Sequence, residues 1–427
     1  MTKRAGSALL LATAVLFLIA NRAAYKGFFQ DDELNNIAWT RDIPAIEYAK
    51  AILTPRFFVN NFRPIGHFYF REMSLVYGLD FRRYLPILHL AHLLNAWLVW
   101  SIARRLGIGP LAASLGTLFF AFHMAAFDVY WKPMYVFDLF CATFSLLAIF
   151  LYMHRRYVVA FCAFWLAYKS KELAVMLPVV LACYECWFAE DRSWKRLAPF
   201  FAVSLSFGLQ AMFLNPNTDN DYTFRFTLPA FWKSLGFYAS RIFLIPYAGL
   251  ALIVLPLLVR DRRLWFGAAM LALFFGPLLF LPGRLFAAYC YLPSAGLALM
   301  AATVASQPNP TPVIALLCIF WVPWNFRQLR KNRGDTLAAD ADARAYVSAL
   351  QSFRQTSKPP RVFLYEGLPG SFNWWGVDGA LRFLYGYPGP ELRSAASEPP
   401  AGDRNDTVLL KWDPATRKLA VVAFGFQ

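Results

Sequence analysis

Apolar runs of about twenty residues, the length that crosses a hydrocarbon core, recur along the first 330 positions of the chain. The first, residues 7–20, follows Lys3 and Arg4. Alone it resembles a signal peptide, but further runs follow, so it reads as an uncleaved first helix entering from the cytoplasm. The others lie at 84–103, 110–127, 134–153, 157–168, 173–189, 196–214, within 229–259, and at 264–282, 289–305 and 311–327. That makes about eleven crossings. The 157–168 run is short and implies tilt, or snorkelling by Arg156 and Lys169. The 229–259 stretch exceeds one span and contains Trp232, Lys233 and Arg241, the pattern of an interfacial helix leading into a membrane helix. Residues 22–83 form a loop of mixed polarity, too long to be a mere connector.

Beyond about residue 330 the pattern turns polar. A helical stretch at 335–353 precedes RVFLYEGLP (361–369), which alternates as a strand does. TVLLKWDPATRKLAVVA (407–423) then reads as a hairpin around Asp413 and Pro414. The expected architecture is an α-helical polytopic membrane domain over 1–330, carrying the external loop 22–83, and a small C-terminal α/β domain over 331–427.

Composition strengthens the membrane reading. Of 427 residues, 58% are hydrophobic and only 16% charged, against about 25% charged in soluble domains. The net charge of +16 does not point to nucleic acid, because basic residues cluster at the ends of apolar runs: Arg104 and Arg105, Arg155 and Arg156, Arg260 to Arg263. This is the positive-inside pattern, with an attraction for anionic lipid headgroups. It leaves loops 22–83, 124–133, 169–172, 215–228 and 282–288 and the C-terminal domain on the extracytoplasmic side. None of the six cysteines falls in the polar C-terminal stretch, so no disulfide framework is implied. Cys183 and Cys186 form a lone CxxC on an apolar run and read as buried small hydrophobes.

The candidate chemistry gathers on the outer side. FFQDDELNN (28–36) sets Asp31, Asp32 and Glu33 just past the first helix. Adjacent carboxylates repel unless a cation or hydrogen-bond donors compensate. Such a carboxylate suits a general base for an acceptor hydroxyl, or a ligand for a divalent ion; a plain helix N-terminus favours negative charge equally well. On the same side lie Arg63, Lys169, Lys171, Arg225, Arg241 and Arg284. Together they fit a phosphate headgroup; singly, each fits an interfacial anchor. His89, His92 and Asn95 share one helical face, where packing and interhelical hydrogen bonds are the simpler account. Asp128 and Asp138, with Trp131 and Lys132, flank the second outer loop; they line a cavity, or Asp128 pairs with Lys132. Trp374, Trp375 and Asp378 read as a carbohydrate platform or as a small domain's core.

Five segments then appear in order: the acidic pair, FRPIGHFYFREMSLVYGLDFRRYLPILHLAHLLNAWLVWSIARRLG (62–107), FHMAAFDVYWKPMYVFDLFCATFSLLAI (122–149), KSKELAVMLPVVL (169–181) and GRLFAAYCYLPSAGLALM (283–300). Over residues 25–305 the chain resembles the membrane part of the transmembrane and tetratricopeptide-repeat O-mannosyltransferases and their bacterial relatives. These belong to the GT-C superfamily of polyprenyl-phosphate-sugar-dependent glycosyltransferases. The resemblance implies a GT-C fold and transfer of a sugar from a polyprenyl-phosphate donor to a glycan or protein acceptor, with inversion. It implies an integral protein, of a bacterial inner membrane, in contact with membrane lipid. It places the catalytic base on Asp31 or Asp32, of which Asp31 is preferred, the family's Arg-Pro on Arg63-Pro64, its Lys-Glu on Lys171-Glu172 and its late arginine on Arg284; with Lys169 and Arg241 from the same outer side, Arg63, Lys171 and Arg284 are the expected donor-phosphate contacts. Substrate-lining roles fall to Glu33, His67, His92, Asp128, Trp131, Glu172 and Tyr291. No cofactor is required and no metal site is assigned, although the acidic turn has the chemistry to hold a divalent cation. His123-Met124 and Asp128 stand where the family has His-Pro and Glu, and the repeats are absent. The competing readings are a non-catalytic relative that binds lipid-linked glycans, and a transporter, whose site belongs at mid-membrane.

Overall fold

The computed structural model describes residues 3–56, 58, 61–214, 220–396 and 406–424. Part of the expected 215–228 loop, residues 215–219, lies outside them. The chain divides into two compact units. The first comprises residues 1–22, 49–66 and 86–330, the second 23–48, 67–85 and 331–427. The boundary expected at 330 therefore falls inside one helix, Val322–Thr356, and much of the expected external loop belongs to the second unit.

The chain is an integral membrane protein built mostly of helices. Five described helices are long and apolar enough to cross a bilayer: Arg4–Lys26, Phe81–Arg105, Pro133–Met153, Arg262–Phe280 and Ala287–Ala305. A sixth crossing forms if Pro110–Ala121 and Met124–Trp131, bent by 42°, are one broken span. Most other expected spans are helical but shorter, among them Tyr157–Ser170, Leu177–Trp187 and Ala198–Leu214. The reading of about eleven crossings thus locates the helices, five or six of which reach full span length among the described residues. The 229–259 stretch shows why others fall short. Helix Leu228–Ile242 ends where Leu244 and Tyr247 adopt left-handed backbone around Pro246, and only short helical turns follow. A proline removes a helical donor, and non-glycine residues at positive φ do not continue a helix.

Inside the first unit, small residues let helices touch. A Cβ on Gly296 would meet the Gly267 carbonyl oxygen at 2.5 Å, and one on Gly116 would meet that of Ala298 at 2.4 Å. Lipid offers helices no hydrophobic drive to associate, so such contact gains van der Waals packing instead. The break at Phe122 is repaired by one side chain: Asn325 Nδ2 donates to the Phe122 carbonyl at 2.6 Å, and its Oδ1 accepts from Met124 N at 3.1 Å. Backbone groups freed within a membrane need such partners. Cys183 and Cys186 are free thiols, half-buried rather than buried.

In the second unit, strands β1 (Val362–Glu366), β2 (Glu391–Ser394), β3 (Thr407–Asp413) and β4 (Lys418–Phe424) form one sheet in the order β2-β1-β3-β4. β1 runs parallel to both neighbours, and β3 and β4 form the expected antiparallel hairpin, with Asp413 opposite Lys418. Helix Trp374–Tyr385 connects β1 to β2. The expected 335–353 helix is the second half of Val322–Thr356, whose Tyr346 packs on Trp412 and Phe372. Phe363, Val377, Leu381, Val408 and Leu410 complete this core.

Candidate functional site

The acidic residues of the second unit open helix Asp31–Thr40. Gln30, in extended conformation, precedes it, and Glu33 reaches back to accept from Gln30 N at 2.8 Å. Glu33, expected to line the substrate site, is buried and closes the helix cap with Gln30. Asp340, also buried, accepts from Phe28 N at 3.1 Å and from Gln30 Nε2 at 2.9 Å. Arg344 Nη2 donates to the carbonyls of Lys26 and Gly27.

Neutral donors meet the other two carboxylates. Asn373 donates its backbone N–H to Asp31 Oδ1 at 2.7 Å and its side-chain Nδ2 to Oδ2 at 2.6 Å. Trp375 Nε1 donates to Asp32 Oδ1 at 3.0 Å. Asp32 is exposed, whereas Asp31 is half-buried. Helix Trp374–Tyr385 lies against helix Asp31–Thr40 at backbone distance: a Cβ on Gly376 would meet Asp31 Cα at 2.9 Å, and one on Gly379 would meet Asn35 N at 2.5 Å. Trp374 and Trp375 are 53% and 36% exposed, so they are not the core of the small domain. Asp378 is paired with Arg382 at 2.9 Å. His67, buried, stands edge-on to Trp39.

In the first unit, basic residues that the sequence sets on one face divide into two kinds. Two are paired. Arg63 grips Glu172 through Nε and Nη2 at 3.0 to 3.2 Å. Lys171 Nζ donates to Asp138 at 2.6 Å and sits 4.0 Å from the Tyr289 ring centroid. The Lys171 and Asp138 side chains are only 10% and 5% exposed. Glu172 lies in a short turn just before helix Leu177–Trp187. Burial pushes its carboxyl up, but the Arg63 guanidinium outweighs that and holds it below the ordinary glutamate range.

Among the described residues, Lys169, Arg241 and Arg284 make no ion pair. The buried Lys169 donates to the Arg56 carbonyl at 3.1 Å, among the rings of Phe58, Trp165 and Phe207. With Arg56, Arg63, Tyr168, Glu172 and Phe207 it lines a small pocket open to solvent. Arg284 stacks on Tyr222 and Phe286, its centre 4.4 and 4.5 Å from the ring centroids, and its buried Nε has no hydrogen-bond partner. Arg241 is exposed over Phe237 and, with Lys132, is within electrostatic reach of Asp128.

Three further candidates are packed interior. His92 Nδ1 is 2.7 Å from the Tyr291 hydroxyl, which also accepts from Asn95 Nδ2 at 3.1 Å. Trp131 donates to Asn21 Oδ1 at 2.6 Å. All are buried, as the packing account of His92 and Asn95 expects. Among the described residues, no group of three or more His, Cys, Asp or Glu is gathered to hold a metal.

No family model and no curated protein matches the chain. Solved structures do. ArnT from Cupriavidus metallidurans bound to undecaprenyl phosphate matches at 14% identity with a TM-score of 0.55, over 96% of this chain and 93% of that one. The same protein in the apo state matches at 13% identity and a TM-score of 0.53, with the same coverage. The fold is GT-C-like.

Within this GT-C-like chain, sequence reasoning found the acidic turn and the basic residues. It missed Asp340 and Asn373, and it named Trp375 only as part of a platform or a core, not as a partner that holds the turn. Gly376 and Gly379, spaced three apart in a helix that starts Asn-Trp-Trp, are the available signal: small residues at that spacing mark a face where another backbone comes close.

Proposed function

We propose that the protein is a membrane glycosyltransferase that moves a sugar from a polyprenyl-phosphate donor to an acceptor hydroxyl. The observation that carries this reading is the fold shared over 96% of the chain with a protein captured with undecaprenyl phosphate. The acceptor oxygen attacks the anomeric carbon, the bond from that carbon to the phosphate oxygen breaks, and the sugar inverts. Its proton passes to a carboxylate, and polyprenyl phosphate leaves. Asp32 is the proposed base. It is exposed, whereas both oxygens of Asp31 already accept from Asn373. A positioned base of this kind contributes about 10²- to 10⁴-fold.

Lys169 and Arg284 are the proposed contacts to the donor phosphate, with Arg241 beside Asp128 in a lesser role. What supports them is that no carboxylate neutralises them within ion-pair distance among the described residues, so their charge is available to a leaving phosphate. Arg63 and Lys171 are proposed to act through their partners, shaping the pocket. The positive-inside pattern supports a reaction on the extracytoplasmic face, and the fold shared with ArnT from Cupriavidus metallidurans supports a bacterial inner membrane.

The test is transfer in proteoliposomes from a panel of undecaprenyl-phosphate sugars, with and without Asp32→Asn. Transfer by the native chain and a drop of about 10²-fold or more in kcat are expected. Full activity in the variant defeats the assignment of the base.

A further inference from the structure

We infer that Asp31 is a positioning residue, and that Asn373 with Asp340 forms the clamp through which the C-terminal α/β module holds Asp32 in place. This rests on the reading of Asp32 as the base. The N-terminus of a crossover helix after a parallel strand is where α/β folds gather anions, because unpaired N–H groups and the helix dipole converge there. In this chain that place, at the start of helix Trp374–Tyr385, holds a carboxylate of its own, Asp31. Both Asp31 oxygens are used in the contact.

A second fastening lies one turn earlier. The buried Asp340 carboxylate binds Phe28 N and Gln30 Nε2, immediately before the helix that presents Asp32. A third is the Trp375 indole on Asp32 itself. The close approach at Gly376 and Gly379 leaves the two helices no room to slide. Residues 30 to 32 are thus held from 340, 373 and 375, and the carboxylate left exposed is Asp32. A group held within a fraction of an ångström is what general-base chemistry demands of its surroundings.

An exchange of the two partners separates positioning from chemistry. In Asp31→Asn the introduced amide keeps both contacts if the Asn373 amide turns over, so kcat falls less than about tenfold; loss of a base would cost about 10²- to 10⁴-fold. In Asn373→Asp no cap is lost, because the Asn373 side chain makes no cap hydrogen bond to its own helix, but two carboxylates now face each other. Here kcat falls about tenfold or more while the donor KM stays constant. The double variant Asp31→Asn with Asn373→Asp regains a donor opposite an acceptor, and kcat returns to within about threefold of native. Hydrogen exchange of helix Asp31–Thr40 in the full-length protein follows the same cycle: faster in Asn373→Asp, slower again in the double variant.

If Asp31→Asn loses 10²-fold or more and the exchange of partners restores nothing, Asp31 is chemically required and the inference falls. If the native chain transfers no sugar, the proposed function falls instead. The hydrogen-exchange cycle still decides the clamp, and its overturning result is the absence of coupling between positions 31 and 373.

Discussion

Two charged clusters in this chain are held together in opposite ways. In the first unit, Lys171 with Asp138 joins a buried cation to a buried carboxylate, and Arg63 with Glu172 joins a cation to a partly exposed one. Their charges cancel where they stand. In the second unit, Asp31 and Asp32 receive an amide N–H, a carboxamide and an indole N–H. Those donors carry no charge of their own and fix the carboxylates in space. A buried ion pair is committed to its partner, because separating the two strands a charge in a poor solvent.

That contrast can be attacked directly. The largest expected effect is on the acidic side: Asp32→Asn lowers kcat by about 10²- to 10⁴-fold with an unchanged melting temperature, read from transfer assays beside thermal unfolding. On the paired side the sign reverses. Lys171→Met leaves Asp138 buried without its cation and costs about 3–5 kcal/mol of stability, and adding Asp138→Leu recovers most of it. A double variant as unstable as the single one would contradict the pairing.

Lys169 belongs to neither class, being a buried cation without a carboxylate among the described residues. Lys169→Met is expected to raise the melting temperature slightly, by relieving about 1 kcal/mol of desolvation. It should also weaken undecaprenyl phosphate binding about tenfold, measured by native mass spectrometry.

The smallest effect concerns pH. The Glu172 carboxyl lies below its unfolded value in the folded chain. The stability it contributes is therefore complete above about pH 4.3 and fades as pH falls through the folded value. Glu172 is 38% exposed, so solvent weakens this term to about 1 kcal/mol or less. Unfolding midpoints of Glu172→Gln should lose that part of the acid dependence.

Much of this was legible in the sequence, for physical reasons. Apolar runs locate the helices because lipid demands an apolar surface of a given length. The apolar run in VFLYE and the turn at Asp413-Pro414 locate β1, β3 and β4, although β1, paired on both sides, is buried continuously over Val362, Phe363 and Leu364 rather than alternately. The broken span at Phe122 was not legible, since its repair comes from Asn325, about two hundred residues away. The acidic turn stood out as a charge cluster, yet the preference for Asp31 over Asp32 rested on no knowledge of Asn373. For Arg63 and Lys171, residue type revealed the charge but not the carboxylate that consumes it.

The contact between Asp31 and Asn373 joins residues 342 positions apart, and that separation has a consequence for how the molecule is made. At about 5–20 residues per second, a ribosome needs on the order of twenty to seventy seconds to travel from one to the other. Through that interval the apolar helices enter the bilayer while the acidic turn waits without its partner. A chain interrupted just short of Asn373 would contain every membrane-length helix among the described residues, and still lack the residue that fastens Asp31.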